Sequence, residues 1–109
     1  MSSAIVTGDD ENILIQLYRD SATFTIDPTA TVKAAVVNAG RSAIMAGPVT
    51  CLSDATGADW TTALVAVNLT SAQTAAITRY GSAILEVEVE DSAGKQTYSD
   101  SVTIVRGLI

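Results

Sequence analysis

The chain has 109 residues, 48% of them apolar, and its 6 Lys+Arg against 12 Asp+Glu give a formal net charge of -6. A length of this order accommodates one domain with a single core. The sequence contains no histidine, which excludes Ser/His and Cys/His catalytic pairs and zinc sites built on imidazole. Its lone Cys51 excludes an internal disulfide and a CxxC motif, and the acidic balance disfavours a nucleic-acid surface. Composition therefore predicts an acidic protein that is not an enzyme and uses no cofactor.

Targeting signals are not evident in the sequence. The first twelve residues lack the basic segment and the long apolar run of a signal peptide. No stretch approaches the roughly 20 apolar residues that span a bilayer. A single unpaired cysteine fits a reducing compartment. We therefore expect the protein in the cytoplasm or in a particle assembled there, without a membrane partner.

The first half of the chain predicts short strands separated by turn residues. Apolar and polar residues alternate, with the period of two that a half-buried strand requires, over residues 12–17 and 30–38. A short extended piece is predicted over residues 23–26, because a proline follows at position 28. From residue 42 to residue 53 the sequence stays apolar but is interrupted by Gly47-Pro48. This pattern predicts either two short strands, over residues 42–45 and 49–53, or one bent strand.

The second half begins with a predicted strand over residues 62–69, which places Val65, Val67 and Leu69 on one face. Thr70 and Gln73 then have the spacing of a capping box, in which each side chain accepts from the backbone amide of the other residue. The consequence is one helical turn over residues 74–77, with Ile77 attached to the core.

The last third predicts a β-hairpin with its turn at residues 91–95. Leu85, Val87 and Val89 alternate with three glutamates, so the strand directs apolar side chains into the core and Glu86, Glu88 and Glu90 into water. Pairing residue 91 with residue 96 gives a consistent register over residues 96–106. The exception is Asp100, which this register directs inward opposite Val87. We therefore expect a bulge or an edge position near Asp100.

About seven short strands with one helical turn predict an all-β fold, an immunoglobulin-like antiparallel β-sandwich. A small open β-barrel is the alternative, since periodicity does not separate the two. The prediction is one domain over residues 1–109, with an N-terminal arm at residues 1–8 and a C-terminal tail at residues 106–109.

Several motifs in this order resemble a known family. They are GDD at residues 8–10, IDPTATV at 26–32, LTSAQTAAI at 69–77, RYG at 79–81 and EVEDSAGK at 88–95. Together they are similar to the immunoglobulin-like domain at the N-terminus of phage baseplate upper proteins and of related tail and fibre attachment modules. The resemblance spans nearly the whole chain, and the motifs are moderately specific because they consist of turn and cap signals.

The resemblance implies a virion building block that docks on a larger assembly and has no catalytic residues. Its partners would be other virion proteins, in a homo-oligomer or symmetric array assembled in the host cytoplasm. The family usually carries a stalk or receptor-binding part after this domain, whereas this sequence ends at Ile109. We therefore expect an accessory protein on the tail, baseplate, neck or capsid. The alternatives are an adhesion or carbohydrate-binding module and, with less support, an inhibitor that binds a host protein through its acidic face.

The acidic residues also allow two chemical interpretations. Asp9, Asp10 and Glu11 with Asp20, or Asp54 with Asp59, have the oxygen ligands that calcium prefers, but neither group has the spacing of an EF-hand loop. Alternate glutamates on one strand meet the separation of glycosidase carboxylates trivially and lack a cleft. The sequence thus predicts neither a metal site nor a catalytic site.

Aromatic and apolar residues remain as candidate interface positions. Trp and Tyr are enriched among binding hot spots, which singles out Trp60 and Tyr80. Trp60 follows a loop, and its other interpretation is a cap on the core. The apolar C-terminal pair, Leu108 and Ile109, and the apolar segment at residues 43–45 have two interpretations. They would be core or frayed ends in a monomer, and they would dock onto a neighbour in a particle.

Overall fold

A computed structural model describes residues 3–107, which form seven strands and two short helical turns. The strands are β1 (Ser3–Val6), β2 (Glu11–Gln16), β3 (Thr31–Asn38), β4 (Ile44–Cys51), β5 (Leu64–Leu69), β6 (Gly81–Asp91) and β7 (Gly94–Val105). A 3-10 turn at Trp60–Thr62 precedes β5, and the one-turn helix α1 (Ser71–Ala75) follows it.

The strands form two sheets that face each other across the core. One sheet has the order β1-β7-β6-β3-β4 and the other pairs β2 with β5. The larger sheet curls like half a barrel, so the fold is a small β-sandwich with the curvature of an open barrel. Its run β4-β3-β6-β7 follows the C′CFG order of immunoglobulin variable-type domains. The predicted all-β sandwich is confirmed.

Alternation of apolar and polar residues determines which side chains enter the core. The buried set includes the predicted inward residues of four strands, namely Ile13 and Ile15, Val32, Ala34 and Val36, Val65 and Val67, and Leu85, Val87 and Val89. Burying these side chains stabilises the fold by about 25 cal/mol for each Å² of apolar surface removed from water. This burial holds the sheets together.

Two segments of the N-terminal third are organised by contacts that the sequence pattern does not show. Residues 3–6, expected in an arm, form β1, which runs parallel to β7. Ile5 is fully buried there, but four residues are too few for an alternation pattern to reveal. Residues 23–26, predicted as a short extended piece, lie outside the named strands; Asp27 after them closes a turn, because its Oδ1 accepts from the Thr29 amide at 2.8 Å.

The apolar stretch around Gly47-Pro48 is one bent strand. β4 pairs antiparallel with β3, and the register shifts twice, once between Ala34 and Val36 and once between Val36 and Val37. The Gly47-Pro48 peptide bond is cis, and Gly47 has a φ of 91°, which L side chains rarely adopt. The second of the two predicted alternatives, a single bent strand, is therefore confirmed.

The β6-β7 hairpin exists, but its register differs from the prediction by two residues. Asp91 pairs with Gly94 rather than with Gln96, so the turn has only two central residues. A shift of two preserves the faces of a strand, which is why the predicted core residues are still buried. Asp100 pairs with Leu85 and is exposed, and among residues 3–107 no second strand pairs with β7 at this position. The expected edge position is confirmed.

The buried thiol of Cys51 lies at the end of β4 and provides a test of the core. Burial raises the pKa of Cys51 from its ordinary value of 9.0 to about 11. As the pH rises above 9, the Cys51 thiol loses its proton in the unfolded chain before it does so in the folded chain. Ionisation of the thiol therefore favours the unfolded chain increasingly between pH 9 and pH 11.

We predict that the free energy of unfolding of the wild type falls between pH 9 and pH 11 more steeply than that of Cys51→Ala. Urea unfolding measured across this range checks the prediction. Below pH 9 the difference between the two proteins should not change with pH. Equal slopes above pH 9 would show that the thiol is exposed.

Candidate functional site

Several connecting segments meet at one end of the sandwich, called here the α1 end. It comprises helix α1 with residues 76–80, the turn at residues 7–10, the turn at residues 39–43, and residues 106–107. The register explains the convergence, because Gly81 pairs with Ile104 and Val6 with Val105. Chain segments that leave these strands therefore emerge together.

Helix α1 is held at both ends by side chains that the sequence motif predicts. The capping box is present: the Thr70 hydroxyl accepts from the Gln73 amide at 3.2 Å, and Gln73 Oε1 accepts from the Thr70 amide at 2.9 Å. Ile77 is buried, as predicted. The helical turn begins at Ser71, earlier than the predicted residues 74–77, because the capping box places the cap at Thr70.

Thr74 links α1 to the turn before β2. It is fully buried, and its hydroxyl donates to the Asp9 carbonyl at 2.7 Å and accepts from the Gly8 amide at 3.0 Å. Asp10 adds a second link, because its Oδ1 accepts from the Ser71 amide at 2.6 Å. A buried hydroxyl needs such partners, since an unpaired one costs about 1–3 kcal/mol. The helix and the turn therefore form one rigid unit.

The segment after β7 lies close to the same turn. The Gly107 amide donates to the Thr7 hydroxyl at 3.0 Å. A Cβ at position 107 would stand 2.2 Å from the Thr7 carbonyl oxygen, so only glycine fits this approach. Leu108 and Ile109, predicted as docking residues, lie outside the described residues.

An open depression of about 330 Å³ lies beside α1 at this end. Its lining comes from both connections: Asn38, 42–45 and 76–79. Asn38 orders the first of them, because its Oδ1 accepts from the Ser42 amide at 2.8 Å. Two large side chains at this end are exposed to solvent. Ile44 lines the depression and is 58% exposed, and Tyr80, which follows the lining residue Arg79 in the chain, is 55% exposed. An ordered surface with exposed apolar groups has the chemistry of a protein interface.

The two aromatic candidates have different surroundings. Tyr80 is exposed at the α1 end and is available to a partner. Trp60 is 8% exposed and belongs to the hydrophobic core, so the interpretation as a core cap agrees with the structure. Its indole Nε1 has no hydrogen-bond partner within the described part of the chain.

Two of the acidic residues named from the sequence, Asp10 and Asp59, have structural partners. Asp10 holds the helix amide described above, and Asp59 caps the 3-10 turn by accepting from the Thr61 amide at 3.1 Å. Among residues 3–107, no group of three or more carboxylate or thiol side chains is arranged to hold a metal ion. The glutamate ladder of β6 lies between β3 and β7 in the middle of the sheet. It therefore does not lie at an edge of that sheet.

Ile44 belongs to the apolar segment 43–45 that the sequence offered either as core or as a docking segment, and it is exposed. Thr74 is the site residue that the sequence did not reveal. It reads as an ordinary helical residue, and its role depends on a turn more than sixty positions away. Local pattern carries no signal for it.

A scan against protein-family models and searches of the curated proteins and the solved structures gave no match. Over residues 3–107, no helix combines the length and apolar content that crossing a membrane requires.

Replacing Thr74 tests the rigidity of the α1 end. We predict that Thr74→Val, which keeps the shape and removes both hydrogen bonds, lowers the free energy of unfolding by about 2 kcal/mol. The matched control is Thr103→Val on the exposed face of β7, with an expected change within about 0.5 kcal/mol. Urea unfolding of both variants makes the comparison, and equal effects would contradict the assigned role.

Proposed function

We propose that this protein is a non-enzymatic structural component of a tailed-phage virion. It docks through its α1 end on the tail, baseplate, neck or capsid as a small accessory or attachment module. The observation that supports docking is the combination of Ile44 and Tyr80, both more than half exposed, on a surface whose backbone is held by buried hydrogen bonds. The virion context comes from the motif resemblance.

The geometry of the α1 end suits a partner of this kind. A preorganised surface loses little conformational entropy on binding, so a modest patch contributes most of its contact energy to affinity. A stable interface needs about 800 Å² on each partner, and a symmetric particle repeats each contact, which adds avidity. Other virion proteins are therefore the proposed partners, in a symmetric array.

Particles purified from the phage that encodes this chain provide the test. We predict that mass spectrometry finds the chain in them and that Ile44→Ser and Tyr80→Ala each reduce its copy number at least tenfold. Loss of a central apolar contact at an interface typically weakens binding by 1 kcal/mol or more, which a multivalent assembly amplifies.

Leu52→Ser is the matched control, because the exposure of Leu52 (57%) is nearly equal to that of Ile44 (58%). Leu52 lies just beyond β4, at the opposite end of the sandwich. It should leave the copy number unchanged. Equal losses for Leu52→Ser and Ile44→Ser, or particles that lack the chain, would refute docking through the α1 end.

A further inference from the structure

A second open depression, separate from the α1 end, lies in the seam between the two sheets. It measures about 390 Å³ and is lined by residues 15–18 at the end of β2 and residues 98–100 of β7; we call it the seam cavity. Among residues 3–107, β1 covers β7 only over residues 102–105, so residues 98–100 border the seam. Its volume is within the range of roughly 300–1,000 Å³ that is typical of small-molecule sites.

Asp100 faces this cavity from a position that would otherwise belong to the core. Val102 and Ile104, the next residues on the same side of β7, are buried, whereas Asp100 is exposed. One carboxylate oxygen, Oδ1, accepts from the Ser101 amide at 2.8 Å. Within residues 3–107 no donor reaches Oδ2, which leaves it able to accept a hydrogen bond from a ligand.

A second acceptor comes from Gln16. Its Nε2 donates to the carbonyls of Leu17 and Thr62, which fixes the orientation of the amide. The opposite atom, Oε1, has no donor among the described residues and is left for a ligand. The seam cavity therefore offers two acceptors that are already oriented.

The aromatic wall of the cavity is also ordered in advance. Tyr98 stacks on Phe24 with ring centroids 5.8 Å apart, and its hydroxyl accepts from Arg19 Nη2 at 3.1 Å. Tyr18, at the other side of the cavity, is 57% exposed. Tyr98 is thus held in place by its neighbours, whereas Tyr18 is largely exposed.

We propose that the seam cavity binds one saccharide unit. A pyranose has an apolar C–H face that covers an exposed aromatic ring and hydroxyl donors around its edge. In the seam cavity Tyr18 would take the C–H face, while the Asp100 carboxylate and the Gln16 carbonyl would accept from hydroxyls. A carboxylate acceptor strengthens such bonds about twofold over a neutral one. The inference goes beyond the proposed virion function and does not depend on it.

An inward charge also protects a sheet edge from pairing with another chain. That role accounts for Asp100 and requires nothing of Tyr18 or of the oriented Gln16 amide. Two variants of Tyr18 separate the explanations. If the cavity binds a sugar, Tyr18→Phe should retain binding and Tyr18→Ala should lose it. If Asp100 only protects the edge, neither variant should have an effect.

The test is an NMR titration of the purified protein with methyl α-D-glucoside, methyl α-D-mannoside and N-acetylglucosamine. We expect at least one of them to give saturable shifts confined to the amides of residues 15–18 and 98–101, with a Kd of about 1 mM or tighter. Tyr18→Ala and Asp100→Asn should each weaken that binding at least tenfold. Tyr18→Phe should keep it within threefold, and Tyr80→Ala, at the other surface, should not change it.

Three results would overturn the proposal. The first is that none of the three sugars gives saturable shifts. The second is that tetramethylammonium alone shifts these amides, which would indicate a cation site formed by the tyrosines and the carboxylate. The third is that Asp100→Asn binds the sugar with unchanged affinity and that this variant dimerises in light scattering. That result would assign Asp100 to edge protection. None of these measurements involves particles, so docking is tested separately.

Discussion

The fold depends on the contact between the two-stranded sheet and the inner face of the larger one. A pair of strands is marginally stable alone in water, so β2 and β5 persist only because Ile13, Ile15, Val65 and Val67 bury themselves against the opposite sheet. The facing surface is made by β3 and β6, whose Val36 and Val87 are fully buried. This apolar layer is what positions the connecting segments at both ends of the molecule, because each segment leaves a strand whose place the layer determines.

The layer is covered unequally along its edges, and the two candidate surfaces follow from this. At the α1 end, polar groups complete the closure: Thr74 and Asp10 satisfy backbone atoms that would otherwise be unpaired. At the seam, the described part of β1 covers β7 only from Val102 to Val105, and the next inward position of β7 carries Asp100 instead of an apolar residue. One surface is therefore rigid and closed by hydrogen bonds, and the other is an opening into the edge of the core.

Alternation predicted the faces of the strands well because burial on one side of a sheet constrains every second residue. It predicted the β6-β7 pairing less well, since a register error of two residues leaves all faces unchanged and only the turn at Ser92-Ala93 decides between the two registers. The capping box was readable because its partners are three residues apart. The link from Thr74 to Gly8, the exposure of Ile44 and the pairing of β1 involve distant segments, and no local period encodes them.

The charge distribution bears on which surface can meet a second copy of the chain. Glu86 and Glu88 are half-buried on the outer face of the larger sheet, with Glu90 beside them. Among the described residues their one ion pair joins Glu88 Oε1 to Lys95 Nζ at 3.8 Å, and a pair exposed to this degree contributes at most about 1 kcal/mol. Lys33 of β3 lies opposite Glu88, so the face carries charges of both signs. Two copies packed through this face would remove these charges from water, a cost that the weak pair does not offset. The outer face is therefore poorly suited to self-association.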